Sequence, residues 1–210
     1  MIPLNIFRRF GWIAFLILPT LSFAHSPSKG LTGFYTGILH VYSEVSLVIA
    51  LVALGLLVGQ TTDLDKQRKL LAGFLVTIVL SSAVGSFALL EFSQRVLQLA
   101  LWGCVVLVCL HAALLPKWTS KLILILVALL GLIMGQLTVP DPGEFWSFFV
   151  TLAGSVTGCV LGFLYTSALV AFLYQRFQLL WQRIILRIIS AWLFAISFLL
   201  LAVQYTNKNT

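Results

Sequence analysis

Residues 37–59 read GILHVYSEVSLVIALVALGLLVG. A helix of that length rises about 34 Å, enough to cross a hydrocarbon layer about 30 Å thick. From Val45 onward the stretch holds no ionisable group. Lipid offers the backbone no hydrogen-bond partners, so a spanning segment must satisfy its own N–H and C=O groups, and the short polar/apolar alternation of a barrel strand is missing here. The stretch predicts a transmembrane helix.

Five further apolar runs follow: Leu70 to Leu90, Val96 to Leu115, Leu122 to Val139, Phe145 to Tyr174 and Ile184 to Val203. Of the 210 residues, 60% are hydrophobic and 9% charged, against about 25% charged in an average soluble domain. The expected fold is therefore all-α, a polytopic membrane bundle of six transmembrane helices with the lipid bilayer as its principal partner. The net charge of +7 does not point to nucleic acid, because Lys and Arg sit in short connections between apolar runs. No connection is long enough for a soluble domain, and no GxxxxGK[ST] phosphate loop occurs. Nor do a nucleophile, a base and an orienting group appear together, so no enzymatic activity is expected.

Upstream, Arg8 and Arg9 precede a short apolar core from Gly11 to Leu18, Pro19 breaks it, and Ser22 and Ala24 frame a cleavage site. This pattern predicts a signal peptide over 1–24, one transmembrane domain over 25–210 and a mature chain beginning at His25. With that end outside, the cytoplasmic connections hold Lys66, Arg68, Lys69, Lys117, Lys121, Arg176, Arg183 and Arg187, whereas the outer segments hold Lys29, Arg95 and Lys208. The asymmetry is the one that the positive-inside rule requires. It predicts a bacterial inner-membrane protein with both mature termini in the periplasm, a cytoplasmic Thr61 to Lys69 connection and a periplasmic turn from Pro140 to Glu144.

Small residues recur at four-residue spacing in Gly154, Gly158 and Gly162, in Gly131 and Gly135, and in Gly55 and Gly59. Such stripes let helices approach closely in lipid. They predict either packing within the bundle or self-association of the fifth span into a homo-oligomer. Cys104, Cys109 and Cys159 all lie inside apolar runs and form no disulfide framework or metal-ligand spacing.

Ionisable groups inside a membrane are costly and mark candidate sites. Three qualify: His40, Glu44 and His111. His40 and Glu44, four residues apart with Ser43 and Ser46 beside them, are expected on one inward face of the first helix. An imidazole and a carboxylate so arranged can share a divalent metal or pass a proton, or form a hydrogen-bonded pair at the periplasmic entry. His25, as a free N-terminus, would offer its amine and imidazole to copper or nickel. His111 is expected at the cytoplasmic interface. Gln136, Thr138, Ser81, Ser82 and Ser86 either line a polar path or bond between helices.

The stretch Ala24-His25, then Gly33 to His40, then Ala50 to Gln60 resembles the opening of the HupE/UreJ family, hydrogenase- and urease-associated membrane proteins regarded as nickel or cobalt permeases. His40 matches the first histidine of that family's HPxxGxDH motif, and Ala50, Ala53, Gly55 and Gln60 fall in step with the helix after it. Val41, Glu44, Ser46 and Leu47 stand where the motif has Pro, Gly, Asp and the second His, and Ser155 stands at a further histidine position. The resemblance implies a six-span scaffold and a divalent transition-metal cation as substrate, with no resident cofactor. The lost imidazoles imply a site rebuilt around His40 and Glu44, with oxygen donors that favour a harder cation or protons. The alternative is a non-transporting structural or assembly subunit of a membrane enzyme complex.

Overall fold

A computed structural model describes residues 33–61, 63–87, 93–114, 120–141, 143–177 and 180–206, and every regular element among them is α-helical. The elements are α1 (Phe34–Ser43), α2 (Val45–Gly59), α3 (Leu64–Ser86), α4 (Gln94–Leu114), α5 (Ser120–Leu137), α6 (Phe145–Phe177) and α7 (Leu180–Thr206). The expected signal segment and His25 lie outside the described residues.

The first expected span departs from a single helix: α1 and α2 meet at 79°. The polar residues of the run explain the corner. Ser43 Oγ donates to the His40 carbonyl at 2.9 Å beside the Glu44 N–H at 3.1 Å, so the last turn of α1 closes with a side-chain bond added to its ladder. Glu44 then adopts an extended backbone, with φ −85° and ψ 104°, and its carbonyl opens α2 by accepting the N–H groups of Leu47 and Val48. His40 and Glu44 therefore do not share a helix face, contrary to the spacing argument.

Among the described residues, four helices are long and apolar enough to cross a membrane, and the count is five if the bent pair is one span. α5, of 18 residues, is shorter and rises about 27 Å. α2 is buried almost all round, whereas α3 buries one side and leaves large apolar side chains on the other. On α3, Leu70, Phe74, Ile78 and Ser81 recur about one turn apart and are buried, while Leu75, Val76, Val79 and Leu80 are exposed. Apolar groups exposed on this scale suit a lipid solvent.

Glycines decide which helices meet. A Cβ on Gly154 would strike the Phe34 backbone, one on Gly158 would approach Ile38 and Val41, and one on Gly55 would strike Thr166. The stripe on α6 is thus covered by this chain's own α1 and α2, which run along α6 in the same direction. α3 and α5 likewise run side by side in one direction, from the Gly73–Leu124 contact to the Gly85–Gln136 contact. α4 opposes α7, since Gln98 near the start of α4 bonds Gln204 near the end of α7 at 2.6 Å. Phe74 of α3 and Phe163 of α6 pack edge to face in the core, with ring centroids 4.7 Å apart.

Candidate functional site

The corner at Glu44 opens on a cavity of about 340 Å³ at the end of the helices where α4 and α6 begin and α5 and α7 finish. Thr36 and His40 come from α1, Ser46 from α2, Gln94 and Gln98 from α4, Asp141 from the turn after α5, and Ser155 from α6. Thus His40 and Glu44 line one cavity because the helix turns between them.

Each wall is tied in place by hydrogen bonds. Ser46 Oγ donates to Glu44 Oε1 at 2.9 Å. Ser155 Oγ donates to the Gly37 carbonyl at 3.3 Å, where the absence of side chains on Gly37 and Gly154 lets α1 and α6 approach. Tyr42 Oη reaches the Gly158 carbonyl at 3.1 Å and fixes the corner against α6. Gln98 Oε1 accepts from Gln204 Nε2, and Arg95 donates to the Gln204 carbonyl at 3.3 Å.

His40 is exposed and Glu44 half-buried. Among the described residues, neither Glu44 nor Asp141 has a basic partner, and the imidazole of His40 is not bonded to Glu44. The expected His40–Glu44 hydrogen-bonded pair is therefore replaced by a Ser46–Glu44 contact. The corner separates the two side chains and puts the serine hydroxyl closer to the carboxylate.

Among the described residues, no three His, Cys, Asp or Glu side chains converge as a metal-ligating group. The cavity instead offers one imidazole, two carboxylates and several amide and hydroxyl oxygens. That set suits a cation that keeps part of its water shell more than one stripped and chelated by imidazoles.

The other expected sites fall elsewhere. His111 lies three residues from the end of α4 and is 6% exposed, turned into the bundle. Cys104, Cys109 and Cys159 are buried in the core. Ser81 Oγ bonds the Leu132 carbonyl and Gln136 Nε2 bonds the Ser81 carbonyl, so these groups join α3 to α5. Gln94, Gln98 and Asp141 went unsingled in the sequence. The four-residue spacing of the two glutamines at the head of an apolar run was the available signal.

Comparison with protein-family models, with curated proteins and with solved structures finds no match.

Proposed function

We propose that this chain is a HupE/UreJ-like protein of the bacterial inner membrane that binds a divalent cation at the Glu44 corner and carries it as a secondary transporter. It is made with a signal peptide ending at Ala24 and crosses the membrane six times, with both mature termini in the periplasm. Alternating crossings make the first and fifth spans parallel, the second and fourth parallel, and the third and sixth antiparallel. The packing directions of α1–α2 with α6, α3 with α5, and α4 with α7 agree with this pattern.

The observation that carries the functional reading is a carboxylate at a helix break facing a polar cavity without a basic partner among the described residues. Broken helices at membrane depth recur where transporters hold ions, because freed backbone and side-chain oxygens there replace part of the water shell. Intramembrane acids are costly unless a ligand, water or partner compensates them. In this topology the cavity opens to the periplasm and Glu44 receives the cation with part of its water shell kept, while His40 and Asp141 line the same cavity without converging on it.

Uptake into proteoliposomes tests the reading, with Ni²⁺, Co²⁺, Mn²⁺ and Mg²⁺ supplied separately. Wild-type protein should take up at least one of them, and Glu44→Gln should not, at equal incorporation. Among the described residues no three strong ligands converge, and a structural or assembly subunit is the second reading. It predicts no uptake of any cation by either protein.

A further inference from the structure

The opposite end of the helices carries a second cavity, of about 160 Å³, whose chemistry is different. Lys66 and Lys69 from the opening turns of α3 and Lys121 from the start of α5 line it, with Leu70, Ile123 and Leu124 along its other side. We infer that an anionic phospholipid sits over this largely apolar cavity, its phosphate at Lys69 and Lys121 on the rim and an acyl chain laid along α5.

Charge makes the first half of the argument. Asp63 Oδ2 lies 3.5 Å from Lys66 Nζ, and Asp65 pairs with the exposed Arg68 at 4.0 Å. Asp63 thus offsets the charge of Lys66, Asp65 is turned to Arg68 outside the cavity, and among the described residues Lys69 and Lys121 have no acidic partner. The walls of the cavity are mostly apolar, the lysines adding their aliphatic stems, so the unpaired charges of Lys69 and Lys121 can meet a phosphate at its mouth.

The apolar side makes the second half. Leu70 is buried at the base, and Leu124 is 40% exposed on the surface that continues to Leu122 and Ile125. A free phosphate would meet only the lysines, whereas a phospholipid meets the lysines with its headgroup and the leucine side with its chain. α3 and α5 come together just beyond, where a Cβ on Gly73 would lie 3.0 Å from Leu124, so the chain is directed outward along the helix surface. The inference requires a bilayer around the helices; it is independent of cation transport.

Native mass spectrometry of the full-length protein in mild detergent tests it, after incubation with phosphatidylglycerol, with phosphatidylcholine or with sodium phosphate. Phosphatidylglycerol should be retained, phosphatidylcholine should not, and sodium phosphate should displace the lipid only weakly. Lys69→Gln and Lys121→Gln should each reduce retention on the order of fivefold. The Lys→Arg variants, which keep the charge and report on folding, should retain the lipid, as should Arg68→Gln outside the cavity. Equal retention by the double glutamine variant, equal retention of phosphatidylcholine, or displacement by phosphate at matching concentrations would overturn the inference.

Discussion

Ser46 Oγ donates a 2.9 Å hydrogen bond to Glu44 Oε1 across the corner between α1 and α2. The bond holds the carboxylate at the head of α2, where the helix dipole attracts negative charge, and turned toward a cavity that His40 and Asp141 also line. Ser46 is almost fully buried, so its hydroxyl has few other partners to choose. Ser46→Ala removes one hydrogen bond and leaves the charge, which should weaken cation binding by about 1 kcal/mol, roughly fivefold. Equilibrium binding to the purified variant measures this; an unchanged affinity would separate the serine from the site.

Glycine contacts give opposite expectations at two positions. Gly154→Val should destabilise the protein by about 1–3 kcal/mol or more, because even its Cβ would strike the backbone of Phe34 and push α1 off α6. Gly103→Ala meets nothing within 4 Å and should gain about 0.8–1 kcal/mol in helix propensity. Thermal unfolding of both variants in one detergent makes the comparison, and equal effects would contradict the packing of α1 on α6.

The cap of α3 predicts a pH dependence. Asp63 accepts the N–H groups of Lys66 and Asp65. The Lys66 bond foremost, then the Asp65 bond and the Lys66 charge, hold its carboxyl below the ordinary value of 3.8. A lowered folded value means that the cap's stabilisation is present above the ordinary value and is lost as pH falls through the lowered one. Asp63→Asn keeps a capping oxygen without a titrating proton. Its unfolding temperature should therefore fall less steeply than that of the wild type below about pH 4. Parallel acid profiles for the two proteins would contradict this.

Gln98 and Gln204 tie α4 to α7 at the rim of the cavity. Interhelical polar pairs in membranes average about 0.6 kcal/mol. A double-mutant cycle with Gln98→Ala and Gln204→Ala should return a coupling of that order by reversible unfolding. A coupling indistinguishable from zero would show that the contact contributes nothing to the pairing of the two helices.

Much of this architecture could be read from residues alone, because lipid leaves the backbone few options and hydrophobic length reports directly on helices. The glycine stripe of α6 was equally legible as a contact surface, although spacing could not say whether its neighbour was α1 or another copy. The corner at Glu44 was not legible. Four-residue spacing between His40 and Glu44 assumes an unbroken helix, whereas Glu44 takes an extended backbone that ends α1 and opens α2. Half of the cavity was hidden for a different reason: Gln94, Gln98 and Asp141 lie far from Glu44 in sequence and share its cavity only through tertiary packing.

The proposed orientation can be read from two positions at opposite ends of the helices. In a background without Cys104, Cys109 and Cys159, a cysteine at Gly143, beside the Glu44 cavity, should react with an impermeant thiol reagent in intact cells. A cysteine at Gln67, beside the lysines, should react only after the membrane is opened. Labelling of both from outside would contradict the alternating topology.

The claim that Glu44 is the carboxylate of a cation site is tested most directly by equilibrium binding of Co²⁺ and Mn²⁺ to purified wild-type protein and to Glu44→Gln. The amide keeps the shape of the side chain and removes its charge. The account predicts saturable binding to the wild type, weakened about 10- to 100-fold in Glu44→Gln, with helix content unchanged by circular dichroism. Equal affinity in the two proteins, or no binding by the wild type, would contradict it.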